Sequence, residues 1–317
     1  MKRILALVVT VFVLGAIYWS LDLQAFFQIF RRSNVLWLSV AVALTVPITL
    51  TLGWRFRALM PEHNRVTLAE SNRLILASSV LNMVLPSKMG DVAKAVFLRK
   101  RGAMNGSLAL SLVIFERACD VLSLLFWCLC GLILYNRPEP IFRVVAVAVG
   151  GVFVFGIWLL ASKSFATKFF SFIRKASPAK FRSSIESLEV AWETMHGHFW
   201  RDRRSLLVIS SISVFLWLLH ILQIWTFIFA LRAWTPFIPH VALSMLSLLV
   251  GLLPVTFAGI GTRDAAIIVL YQPYFSTEVG AALGLLCTMR YVIPALVGLP
   301  YLERYLAGAK DNSAVIR

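Results

Sequence analysis

Three charged residues, Glu116, Arg117 and Asp120, interrupt the otherwise apolar run GSLALSLVIFERACDVLSLLFW. At 3.6 residues per turn they fall within an arc of about 100° and share one helix face. They lie roughly 15 residues from the nearest basic cluster at Arg101, deep in the run. Each charge buried in a membrane core costs roughly 2.5 kcal/mol or more, so such residues default to a functional reading. The alternative is a structural ion-pair cluster that ties helices together, with Arg117 bridged to Asp120. The two readings are compatible.

Two other stretches mix the same ingredients. Residues 82–94 read NMVLPSKMGDVAK, and residues 254–264 read PVTFAGIGTRD. Each follows an apolar arm that ends in Leu-Pro. Each then has glycine, a charged residue and a second apolar arm. Proline and glycine end helices, and the freed backbone groups need protein or water rather than lipid. Asn82, Pro86 and Gly90 form the first break; Pro254, Gly259, Gly261 and Thr262 form the second. A new helix is expected at Gly90-Asp91, with Asp91 as N-cap, and at Gly261-Thr262, with Thr262 as cap and Asp264 in the first turn. Helix starts present free N–H groups and partial positive charge, which suit phosphate or carboxylate. Lys88, Lys94 and Arg263 add full positive charges. Capping alone accounts for Asp91, Thr262 and Asp264; it leaves the three cations unexplained. Arg290, in CTMRYVIP, follows its break by 36 residues, as Arg117 follows Pro86 by 31. It is expected either to neutralise Glu116 or Asp120 or to meet a substrate phosphate. His220 is deep in its span and is read as a packing residue.

The elements that must hold these residues are membrane helices. The chain is 59% hydrophobic, with a mean hydropathy of +0.81, and its apolar residues gather into runs near 20 residues long. Full spans are expected near 4–21, 35–54, 106–135, 141–161, 205–231 and 278–302. The start, Met1-Lys2-Arg3 and an apolar run to Ser20, is similar to a signal peptide. Tyr18-Trp19 occupies the place of a cleavage site, so a retained first helix is expected. The segments 71–97 and 241–271 are too short or too broken to span, and are expected to be re-entrant helical hairpins. Eight simple spans with kinks is the alternative. The fold class is therefore an all-α polytopic membrane protein, with about six full transmembrane helices and two re-entrant hairpins in an inverted-repeat arrangement. A single transmembrane domain, 1–317, holds a first repeat core at 55–135, a linker at 162–204 and a second repeat core at 205–302. Inverted repeats with matched broken helices point to a transporter site near the midplane.

The formal net charge of +16 suits cytoplasmic loops beside anionic inner-leaflet lipid. There is no basic-aromatic groove or zinc spacing, so no nucleic-acid partner is expected. Lys2 and Arg3 place the N-terminus inside. Arg55, Arg57 and Arg65 after the second span, and Lys94 to Arg101 before the third, are read as cytoplasmic. So is linker 162–204, with nine Lys/Arg against four acids. The segments 22–34 and 136–140 are read as outside loops. In the linker, Phe181, Ile185, Leu188, Trp192, Met195 and Phe199 form one apolar face. That face lies on the inner membrane surface or packs on the protein itself. His196 and His198 are read as solvated. The four cysteines, Cys119, Cys128, Cys130 and Cys287, are read as reduced packing residues, and no metal or cofactor is expected.

The pattern N-x-x-L-P-x-x-x-G-D-x-x-K (Asn82 to Lys94), then E-R-x-x-D (Glu116, Arg117, Asp120), then P-x4-G-x-G-x-R-D (Pro254 to Asp264), then mid-span Arg290 resembles the lysylphosphatidylglycerol synthase transmembrane-region family, also called the flippase-like domain family of bacterial and archaeal membrane proteins. The resemblance covers order, spacing and residue type over nearly the whole chain. Members usually carry Arg at the position of Lys94 and Glu at that of Asp264. It implies a multi-pass protein of the cytoplasmic or inner membrane, both termini cytoplasmic, that moves a lipid or lipid-linked headgroup between leaflets. The expected substrate is an anionic phospholipid, an aminoacylated one or an isoprenoid-linked phosphate. The aminoacyl-transferase domain that follows this region in the best-known members is expected to be absent. The phosphate is expected on the two helix starts together with Arg263, Lys94 and Arg117 or Arg290, with Glu116 and Asp120 balancing charge or binding a headgroup amine. No nucleophile-base pair or nucleotide-binding motif is found, so enzymatic activity is not expected. The competing readings are an enzyme or subunit that modifies lipid headgroups, and an anchor for a cytoplasmic lipid-modifying transferase.

Overall fold

The computed structural model describes residues 22–85, 90–100, 106–135, 139–200, 203–253 and 259–314, with isolated positions besides. Most of the first expected span (4–21), Pro86, Lys88 and Pro254, and the side chains of Met195, His198 and Phe199, lie outside the described residues. Within them the chain is predominantly helical and has no strand.

Segment 22–34, expected as a loop, instead forms helix α1, Leu23–Arg31. Asp22 caps it through Oδ1, which accepts from the Gln24 and Ala25 N–H groups, and Phe26 turns into the core. Asn34 then caps α2, Val35–Ala43, which continues as α3, Thr45–Leu59. The two make one apolar stretch of 25 residues, long enough to cross a membrane. The joint has a local cause: Pro47 has no N–H for the Ala43 carbonyl, which ends the first run. Among the described residues four more helices are long and apolar enough to cross: α6 (Gly106–Tyr135), α7 (Pro140–Ala161), α10 (Arg203–Ala230) and α13 (Thr277–Ala314). α7 is the most hydrophobic and the least covered of the five. It turns Val144, Val147, Val154 and Trp158 outward.

Both broken segments form pairs of shorter helices. α4 (Leu68–Val84) is followed by α5 (Gly90–Lys100), and α11 (Phe237–Gly251) by α12 (Thr262–Leu270). The arms of each pair pack on each other, and each second arm packs on the long helix that follows it, α5 on α6 and α12 on α13. The most extensive contacts cross between the halves: α4 lies against α13, and α11 against α6. Each crossing is made close by a glycine on the long helix, as small residues allow within membranes. A Cβ at Gly131 would lie 2.6 Å from the Ala242 nitrogen, and one at Gly298 would overlap the Leu76 carbonyl.

The linker folds as two helices, α8 (Lys163–Ala176) and α9 (Ala179–Phe199). α9 packs on α6, burying Ile185, Ala191 and Trp192, whereas Phe181 and Leu188 of the same expected face stay exposed. His196 is not simply solvated: its ring sits between those of Trp192 and Trp200, with centroids 4.9 and 5.5 Å away. The cysteines are unpaired, and three of the four are buried in packing positions. Two apolar clusters fill the interior. One gathers Phe56, Leu59, Leu74, Phe97 and Phe115, the other Leu124, Ile224, Phe227, Val241 and Cys287. Along α6 the charged residues fall where one cluster passes into the other.

Candidate functional site

Six charged side chains from three helices close into a ring of alternating sign. Arg55 of α3 donates to Glu116 at 3.2 Å and to Asp120 at 2.5 Å. Lys94 of α5 donates to Glu116 at 2.6 Å and reaches Asp91 at 3.2 Å. Arg117 of α6 reaches Asp91 at 2.9 Å and Asp120 at 3.2 Å. Every acid therefore meets two bases and every base two acids, and the three positive and three negative charges cancel. Arg55 and Glu116 are wholly buried, and Lys94 and Asp91 almost so. Ser213 of α10 accepts another Arg55 hydrogen bond at 3.2 Å, and the Lys94 ammonium lies 4.8 Å from the Phe56 ring centre. Desolvating such charges is expensive; mutual pairing offsets the cost only when few polar atoms are left over.

The local reasons are simple. On α6, steps of one, three and four residues put Glu116, Arg117 and Asp120 on one face. On α5, Asp91 and Lys94 are three apart. Gly90 lets α5 start hard against α4: a Cβ there would stand 2.5 Å from the Asn82 nitrogen. Arg55 continues the buried stripe of α3 formed by Ile48, Phe56 and Leu59, with Leu52 partly buried beside it.

The ring forms part of the wall of a cavity of about 350 Å³. Glu116, Arg117, Asp120, Asp91 and Lys94 face it on one side. Thr45 and Thr49 of α3, Ser78, Ser79 and Asn82 of α4, and Trp217, His220 and Gln223 of α10 add further wall. Leu252, Ile260, Thr288, Arg290 and Tyr291 close it from the second half of the chain. Arg290 is 7% exposed, and its Nε and Nη1 have no hydrogen-bond partner. Of the two expected tasks for Arg290, neutralising Glu116 or Asp120 falls to Arg55, Lys94 and Arg117 instead. His220 lies edge-on to Trp217, ring centres 5.5 Å apart.

Arg263 and Asp264 are buried apart from the ring. The Arg263 Nε and Nη2 donate to Asp264 Oδ1 at 2.9 and 2.6 Å. Nη2 also donates to the Gly284 carbonyl at 3.1 Å and to Thr288 Oγ1 at 2.7 Å. Neither residue lines the cavity. Arg263 thus clamps α12 to α13. The Asp264 Oδ2 accepts from the Gly261 N–H at 3.1 Å. The capping expectations need correcting. Gly261, at φ 101°, stands in the cap position, and Thr262 begins the helix; the positive φ suits glycine and would strain threonine. Thr262 Oγ1 pairs instead with Thr256 Oγ1 at 2.9 Å. Gly259 has φ 73°, and a Cβ there would overlap the Gly251 carbonyl. Asp91 lies inside the first turn of α5 rather than capping it, and its carboxylate is taken by Lys94 and Arg117.

Sequence reasoning misses Arg55, which reads with Arg57 and Arg65 as part of a basic loop. The signal is present: steps of four, three and four link Ile48, Leu52, Arg55 and Leu59, so the buried face runs on past Trp54.

The profile of the lysylphosphatidylglycerol synthase transmembrane region matches residues 3–298. The chain belongs to this family. It is also similar to a UPF0104 membrane protein of Methanocaldococcus jannaschii, with 24% identity over 316 residues, covering 94% of this chain and 93% of that one. The matched region of the family includes the ring, the cavity and both broken helix pairs. This protein of the lysylphosphatidylglycerol synthase transmembrane-region family is a membrane protein with several apolar helices and a charged centre.

Proposed function

We propose that the protein is a flippase-like translocator of a lipid with an anionic, aminoacylated or isoprenoid-linked phosphate headgroup. The carrying observation is the cavity itself, a largely apolar chamber with a cluster of charged and polar side chains in its wall, set among helices long enough to cross a membrane and walled by both halves of the chain. A headgroup needs such a chamber because bare lipid core cannot solvate it. The two broken helix pairs are read as re-entrant hairpins and the halves as inverted repeats, a reading supported by the reciprocal crossing of α4 on α13 and α11 on α6. Access would alternate as the halves rock about the cavity. The membrane is the cytoplasmic or inner membrane, with both termini inside, and the basic α8–α9 pair meets anionic inner-leaflet lipid and offers a docking place for a lipid-modifying enzyme. The ring's carboxylates are engaged in ion pairs, which favours a carrier over an acid–base enzyme.

The test is reconstitution into liposomes carrying a fluorescent phosphatidylglycerol in both leaflets, with an impermeant quencher added outside. Active protein raises the quenchable fraction from about half towards completeness, because lipids keep exchanging between leaflets. Arg117→Ala should slow that exchange while the protein stays folded. Quenching that stops at the outer leaflet, with every anionic lipid tried, would sink the proposal.

A further inference from the structure

We infer that the cavity receives a group with one negative charge, a phosphodiester oxyanion, and that Arg290 is its counter-charge. This deepens the carrier reading, narrows its substrates to phosphodiester lipids and away from isoprenoid-linked monoesters and diphosphates, and rests on it for the lipid source of the anion. The described charged residues of the ring and the cavity wall include one cation more than acids. Arg55, Lys94 and Arg117 are matched by Asp91, Glu116 and Asp120 in a closed ring. The ring is therefore neutral and presents no net charge to a ligand. Arg290 enters the same cavity from α13, 7% exposed, with Nε and Nη1 unpartnered and no ion pair to any described acid. A guanidinium does not shed its proton to escape burial. The guanidinium lies over the Tyr291 ring, 5.4 Å from its centre, but has no paired negative charge among the described residues; such burial is costly, and an anion in the cavity lowers that cost.

A residue of the cavity wall holds a second unanswered polar group. The Asn82 side-chain oxygen is buried without a partner, and Asn82 lines the same space. A side-chain amide can turn either its oxygen or its NH2 to the site. Turned by its NH2, Asn82 would donate to an oxyanion held by Arg290. The two come from α4 and α13, the helices that make one of the two crossed contacts, so a bound anion would bridge the halves of the chain. A second negative charge would find no further unmatched cation among the described residues of the wall and would face the three ring carboxylates. The site therefore discriminates by valence: it accepts a phosphodiester and disfavours a doubly ionised monoester or a diphosphate.

The experiment measures lipid retention by the full-length protein in micelles, using native mass spectrometry and three lipids with matched chains. The lipids are phosphatidylglycerol, phosphatidic acid and diacylglycerol, at about pH 9, well above the second ionisation of a phosphomonoester. Wild type should retain phosphatidylglycerol at least ~10-fold better than either of the others, the scale of a charge-assisted bond. Arg290→Gln should erase the preference over diacylglycerol, and Arg290→Lys should keep part of it. Tighter retention of doubly charged phosphatidic acid, or an unchanged preference in Arg290→Gln, would overturn the inference. If Arg290→Gln does not fold, the three lipids on wild type still decide. Soluble glycerophosphoglycerol and inorganic phosphate are added as competitors: no displacement supports a lipid, and displacement at matched concentration overturns the lipid assignment in favour of a free oxyanion. Nothing moves between leaflets in this measurement. Selective retention without translocation would sink the carrier reading and leave the valence standing; translocation with no valence preference would do the reverse.

Discussion

Arg55 and Asp120, 65 positions apart in the chain, meet at 2.5 Å and join α3 to α6 at the ring. The same guanidinium reaches Glu116 from its other nitrogen. One side chain thus holds two of the three acids that face the cavity.

Removing Arg55 should therefore damage the fold before it damages any function. Arg55→Gln leaves Glu116 and Asp120 each short of one cation in a buried setting. The expected loss is about 3–5 kcal/mol, typical of breaking a buried pair from one side. Thermal unfolding in detergent, followed by size-exclusion chromatography, reads it out. A melting temperature equal to wild type would show that the ring does not stabilise the protein.

Lys94 and Glu116 should be energetically coupled. Lys94→Met and Glu116→Gln each leave a buried charge unmatched, whereas the double variant removes both charges together. The double variant should be more stable than the sum of the single losses predicts, by roughly 1–3 kcal/mol. Unfolding measurements on the four proteins of the cycle give the coupling; additive losses would refute it.

Arg263 should behave as a clamp and not as a headgroup ligand. Arg263→Ala frees the Gly284 carbonyl and Thr288 from their partner and strands Asp264. Stability should fall by several kcal/mol, about the cost of an unpaired buried carboxylate, while the folded fraction still retains phosphatidylglycerol as wild type does. Selective loss of the lipid at unchanged stability would return Arg263 to the binding site.

The crossed helix contacts should tolerate no side chain. Gly298→Val forces a branched group into the Leu76 carbonyl, and Gly131→Val one into the backbone at Val241 and Ala242. Both should lower the yield of monodisperse protein sharply. Gly151 is the control, because a Cβ added there would meet nothing within 4 Å: Gly151→Val should be close to neutral. Equal behaviour of all three would mean that close approach at these glycines is not needed.

Much of this protein is legible in its sequence. Apolar length marks α6, α7, α10 and α13, because crossing a bilayer is a requirement on each segment alone. Leu-Pro followed by glycine and a charge marks both broken pairs, because helix breaking is also local. Glu116, Arg117 and Asp120 announce a shared face through spacing alone. Spacing also anticipates the Arg117–Asp120 pair, which forms at 3.2 Å; what only the tertiary structure decided is which charges meet across helices. Arg55 resembles a loop arginine until α3 is seen to continue to Leu59 and to pack against α6. Arg263 and Arg290 look alike on paper, two arginines in apolar surroundings. Folding gives one of them Asp264, Gly284 and Thr288, and leaves the other facing a cavity. Helix period and apolar length are properties of neighbours in the chain, whereas ion pairing depends on distances of a few ångströms between segments far apart in it. No local pattern carries those distances, so the neutral ring and its unmatched arginine emerge only when the helices are packed together.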